Sequence, residues 1–76
     1  MSGYSGYKVI CHSRLEADVI LYVMRRRERG AWHCEERVRT GKNKSQIAWG
    51  RMFSKKHLAI NAFNSRLRRG ARVYWW

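Results

Sequence analysis

The sequence predicts an α+β fold: a three-stranded antiparallel meander packed on one C-terminal helix, with candidate edge strands at both termini. Three observations lead there. Apolar and polar residues alternate with period two through Ala31–Arg39 and Gln46–Phe53, the pattern of half-buried strands. After Ser54 the period lengthens to that of a helix. The chain has 76 residues, and a domain of that size buries only about 60% of its unfolded surface, so one small core is expected.

Residues 1–6 are rich in Gly and Ser and carry no periodic pattern. Tyr7–His12 reads as a short strand, and Ser13–Asp18 is polar and ambiguous. Val19–Arg27 holds the run V-I-L-Y-V, β-branched and aromatic, and is the first strand of the meander. Gly30 punctuates. In Ala31–Arg39, Trp32, Cys34 and Val38 share one face, and His33, Glu35, Arg37 and Arg39 share the other. Glu36 is the one polar residue on the apolar side. The turn T-G-K-N-K follows. Strict alternation in the third strand puts Ile47, Trp49 and Phe53 on the apolar face, with Gln46, Ala48 and Gly50 opposite.

Ser54 is the N-cap candidate for a helix over Lys55–Arg69. Ile60, Phe63 and Leu67 form its stripe, with Ala59 and Ala62 beside them. Arg66, Arg68 and Arg69 suit the negative end of the helix dipole, and Gly70 suits the stop. The end, A-R-V-Y-W-W, is too short for a helix and reads as an edge strand. A second topology stays open. Ser13-Arg14-Leu15-Glu16 fits a capping box, and a helix over residues 14–29 would make the chain a ferredoxin-like βαββαβ unit.

Charge bears on partners. Lys and Arg number 17 against 5 Asp and Glu, a formal net charge of +12. Such an excess points to nucleic acid, an anionic surface or an acidic protein. Twelve of the cations are Arg, the side chain that grips phosphate and guanine with two parallel donors. No apolar run reaches the length of a membrane span, and M-S-G-Y-S-G lacks a signal-peptide pattern. The expected compartment is therefore the cytoplasm, where Cys11 and Cys34 are thiols.

The segments L-Y-V-M-R-R-R-E-R-G-A-W-H-C, R-T-G-K-N-K-S-Q-I-A-W-G-R and A-I-N-A-F-N carry a family likeness. Together, over roughly Val19–Arg69, they resemble the amino-terminal arm-binding domains of phage tyrosine recombinases (lambda integrase-like). They also resemble the APETALA-type DNA-binding domain of plant ethylene-response proteins. The resemblance implies a three-stranded sheet on one helix, with the sheet face in the major groove. It also implies a phage or other mobile element as source. Tyr7–His12 and the V-Y-W-W tail have no counterpart there, and no recombinase catalytic domain follows. The Trp-Gly-Arg tripeptide is similar to the start of the WGR domain, but the glycine-rich segment expected after it is missing.

The resulting expectation is a small stand-alone DNA-binding protein, a monomer or homodimer whose partner is double-stranded DNA. Arg37 and Gln46, exposed on the polar sheet face, are candidate base readers, and the geometry that the resemblance implies adds Arg25 and Arg27 to them. Arg39, Lys42, Lys44, Lys55, Lys56, Arg66, Arg68 and Arg69 are the candidate phosphate contacts. Lys55 and Lys56 oppose the helix dipole, a cost that a bound phosphate at that terminus reverses. Two other classes fit the same charge. One is an inhibitor that binds an acidic host or defence protein. The other is an RNA binder on a ferredoxin-like sheet, with Trp49 and Arg51 as its stacking platform. Cys11-His12 and His33-Cys34 offer zinc-ligand types, but adjacent strand residues point to opposite faces, so no metal or other cofactor is expected. Five carboxylates and no nucleophile constellation argue against an enzyme.

Overall fold

Alternating strands dominate the computed structural model, which describes residues 6–26 and 30–75. The elements are β1 (Tyr7–Glu16), β2 (Val19–Arg26), β3 (Trp32–Gly41), β4 (Lys44–Phe53), α1 (Lys56–Arg66) and β5 (Tyr74–Trp75). They form one sheet in the order β4-β3-β2-β1-β5. Every neighbouring pair is antiparallel. The result is an α+β domain with five antiparallel strands and one helix. The ferredoxin-like alternative does not hold, because residues 14–16 and 19–26 are strand. The β-branched run of β2 outweighs the capping box, and β1 extends four residues past the expected His12.

Cross-strand pairing defines two faces. On the helix side, Cys11 faces Val23, Ser13 faces Leu21, Val23 faces Cys34, and Leu21 faces Glu36. Cys11, Leu21, Val23 and Cys34 are fully buried there against Ala59 and Phe63 of α1. Trp32, Trp49, Phe53, Ile60 and Leu67 surround them. Glu36, the polar residue of β3 on this side, accepts a hydrogen bond from Arg66 at 3.2 Å. After α1 the chain runs back over β1. Ser13, buried, donates its hydroxyl to the Arg72 carbonyl at 2.6 Å and so moors the tail. The tail then pairs as an edge strand, Cys11 with Trp75 and His12 with Tyr74.

The helix is shorter than its pattern. It starts at Lys56 with Lys55 as N-cap, and no side chain caps it. It stops at Arg66 because Leu67 turns to extended backbone. Gly70, expected as the helix stop, instead takes φ 76° in a turn closed by the Ala71 N–H on the Arg68 carbonyl, 3.0 Å. Gly30, between β2 and β3, has φ 64°. That left-handed backbone favours glycine; a Cβ there would meet only the movable end of the Arg25 side chain, at 3.3 Å.

Candidate nucleic-acid interface

Acidic residues are confined to one half of the sequence. Residues 1–36 hold six cations and all five carboxylates; residues 37–76 hold eleven cations and none. Among the described residues, folding then pairs three of the five carboxylates with arginines. Glu35 pairs with Arg37 at 3.0 Å, Glu36 with Arg66 at 3.2 Å, and Glu16 with Arg68 at 3.1 Å. Arg14, Arg39, Lys42, Lys44, Arg51, Lys55, Lys56 and Arg69 are exposed.

The β3–β4 hairpin is where this charge projects. The last β2–β3 pair is Val19 with Val38, and the Arg39 N–H donates to the Asp18 carbonyl at 2.7 Å. Beyond that point only β3 and β4 continue, to the pair Gly41–Lys44. Three residues of strand past Val38 give a two-stranded ribbon about 10 Å long. Asn43, with φ 59°, supplies the left-handed residue of its turn. Arg39, Lys42 and Lys44 lie on the ribbon. Arg68 comes to the same end of the sheet, two strands away, because it reaches Glu16, which pairs with Val19. Arg66 lies further in, on Glu36 and over Trp49. Three of the expected phosphate contacts, Arg39, Lys42 and Lys44, are thus brought together on the ribbon, whereas Arg66 and Arg68 already meet carboxylates.

Lys55 and Lys56 lie at the opposite end, by Trp32. The Lys56 ammonium sits 5.9 Å from the Trp32 ring centroid, and the Arg25 guanidinium 5.5 Å. That contact corrects the reading of Arg25: it lies on the helix side, directly across from Trp32, and not on the open sheet face. Arg37 is on the expected face but not exposed. It lies on the open face with its side chain only 16% accessible, held against Glu35 and near the Ser45 hydroxyl at 3.5 Å. Gln46 is corrected by a register shift between Glu36 and Arg37. Trp49 pairs with Glu36, but Ile47 pairs with Arg37 and Gln46 with Val38. The extra residue, Ala48, moves Gln46 to the helix side and turns Ile47 outward, 53% exposed. Arg27 falls outside the described residues. Trp49 is no stacking platform either: the Arg66 guanidinium covers it at 3.9 Å.

The Cys-His pairs are split across the sheet. Cys11 and Cys34 are buried under α1, while His12 and His33 lie on the open face. Burial pushes the Cys11 thiol up to about 11 and the Cys34 thiol up to about 12. Among the described residues, no group of three or more His, Cys, Asp or Glu is placed to hold a metal ion. None of the described helices is long and apolar enough to cross a membrane. Comparisons with family models, with curated proteins and with solved structures find no match.

Proposed function

We propose that this protein binds double-stranded DNA with the β3–β4 ribbon in the major groove. The observation that carries the reading is the projecting, carboxylate-free ribbon bearing Arg39, Lys42 and Lys44. Its length of about 10 Å matches a groove about 8.5 Å deep that admits a two-stranded ribbon. In this reading Lys42, Lys44, Arg68 and Arg69 lie on phosphates. Arg39 and Gln46, on opposite faces of the ribbon, meet base edges. Arg37 braces the ribbon's base through Glu35. The likeness to arm-binding domains supports the same partner, while the ribbon moves the contact from the sheet face to its projecting corner.

Salt titration on a selected duplex tests this. Neutralising roughly six to eight phosphates predicts a slope of log K on log salt between about −5 and −7. Arg39→Ala should lose about 1–3 kcal/mol on the selected site alone. Lys42→Ala should weaken selected and scrambled duplexes alike. A slope near zero rejects the reading. Capture of a protein that survives nuclease treatment would favour the inhibitor class.

A further inference from the structure

The helix covers one side of the sheet; no described element covers the other. The middle row of that open face reads Tyr74, His12, Tyr22, Glu35 and Gly50 from edge to edge. Three of its rings stand in series. Tyr74 stacks on His12 with centroids 5.2 Å apart and planes 22° apart, and His12 continues to Tyr22 at 6.0 Å and 33°. Tyr74 is 51% exposed, so the series ends on an accessible ring at the sheet edge. One flanking row places the exposed Arg14 across from Ile20; the other places Val9 across from Met24, with Arg26, across from Tyr7, one row further out. Among the described residues, the one carboxylate on this face is Glu35, already paired with Arg37.

Flat rings beside cations, with the one carboxylate neutralised, match a heteroaromatic base carried on a phosphate chain. We propose that this face is a second site, which takes unpaired bases of a single-stranded nucleic acid by stacking them on Tyr74 at the end of the Tyr22–His12–Tyr74 row. A duplex keeps its base faces stacked inside and offers none to such a row, so the ligand differs from that of the ribbon. Burial, and then the Arg14 charge, lower the pKa of His12. Its ring is therefore neutral at neutral pH and stacks as a plain π surface. Stacking reads the base and not the sugar, so oligo(dT) and oligo(U) should both bind.

The experiment titrates short labelled oligo(dT), oligo(U) and a duplex with wild type, Tyr74→Ala, Tyr74→Phe and Lys44→Ala. Tyr74→Ala should weaken both single strands about tenfold, the loss of one base–aromatic stack. Tyr74→Phe should match wild type, and duplex affinity should not change in either variant. A measurement on wild type alone guards against misfolding: 2-aminopurine within oligo(dT) should lose emission on binding. Unchanged emission at saturation, or wild-type affinity in Tyr74→Ala, overturns the proposal. Absence of single-strand binding together with a concentration-dependent dimer would assign the face to a second copy and also overturn it. Duplex binding that fails while Tyr74-dependent binding persists would reject the ribbon reading and leave this one standing.

Discussion

On the helix side of the sheet, Cys11, Leu21, Val23 and Cys34 are fully buried against Ala59 and Phe63. On the open side, the interleaved positions are His12, Tyr22, His33 and Glu35, with Met24 buried between its ladder neighbours Val9 and His33. The same strands build both faces, one residue out of step. Near the core, charge on the helix side is met by a partner, as Glu36 meets Arg66 and Arg25 lies on Trp32. No described element forms a second layer on the open side, and its rings and ion pairs pack sideways along the rows. Tyr7 meets His33 edge-on at 5.0 Å in this way. The difference assigns the buried apolar core chiefly to one face.

The largest expected effect is on the helix side. Phe63 is 1% exposed and is the largest fully buried side chain. Phe63→Ala should cost about 3–5 kcal/mol, transfer and cavity terms together. That is much of the stability a domain of this size holds, at roughly 0.05–0.15 kcal/mol per residue. Urea denaturation checks it; a loss under 1 kcal/mol would mean the helix is not the second layer.

Next come the two thiols of the same face. Burial raises them from 9.0 to about 11 in Cys11 and about 12 in Cys34. The unfolded chain releases these protons near the ordinary value, while the folded chain retains them. Their contribution is therefore intact below pH 9 and is lost as pH rises toward 11 and beyond. The urea midpoint of wild type should fall more between pH 8 and pH 10.5 than that of Cys34→Ala. Equal falls in the two proteins would show that tyrosines and lysines dominate the alkaline limb.

Much of this contrast was legible in the sequence. Alternation through Trp32–Val38 assigned the faces of β3 correctly, because a strand without a bulge keeps strict period two. It failed in β4, where nothing in Q-I-A-W-G announces the extra residue that turns Ile47 to the open face and Gln46, still exposed, to the helix side. The same alternation placed Arg37 on the open face but not its burial, since a pair with Glu35 two residues away depends on rotamers and neighbours. The cation stripe at the helix end was visible, but Leu67 leaves the helix to let the tail reach Ser13. The tail's pairing with β1 is a contact 62 residues apart, His12 to Tyr74, beyond any local signal. For that reason no local pattern reveals the ring series on the open face.

That mooring gives a smaller prediction. Ser13→Ala removes the hydrogen bond to the Arg72 carbonyl and should cost about 1 kcal/mol. The loss should be felt on both faces, because the same segment carries Tyr74. Single-strand affinity should fall with it, whereas duplex affinity should not change. Hydrogen exchange should show faster opening of residues 72–75 in the variant. Protection there equal to wild type would mean that β5 is held by its pairing with β1 alone.

The smallest effect on the fold belongs to the ribbon, which extends past both faces. Lys44 is exposed at the tip, and the half of the chain that contains it has eleven cations and no carboxylate. Surface changes away from core, caps and networks alter stability by no more than about 0.5 kcal/mol. Here the sign should be favourable: removing one charge from a self-repelling set relieves the folded state slightly. Lys44→Ala should melt at the wild-type temperature or marginally above it in low salt. The difference should vanish in high salt, where the screening length shortens to a few ångströms. Duplex affinity should nevertheless drop, with the salt slope shallower by about one unit. A stable protein that has lost affinity separates the ribbon's role from the core's. A destabilisation above 1 kcal/mol would instead make the tip part of what holds the sheet together, and the division between the faces and the ribbon would fail.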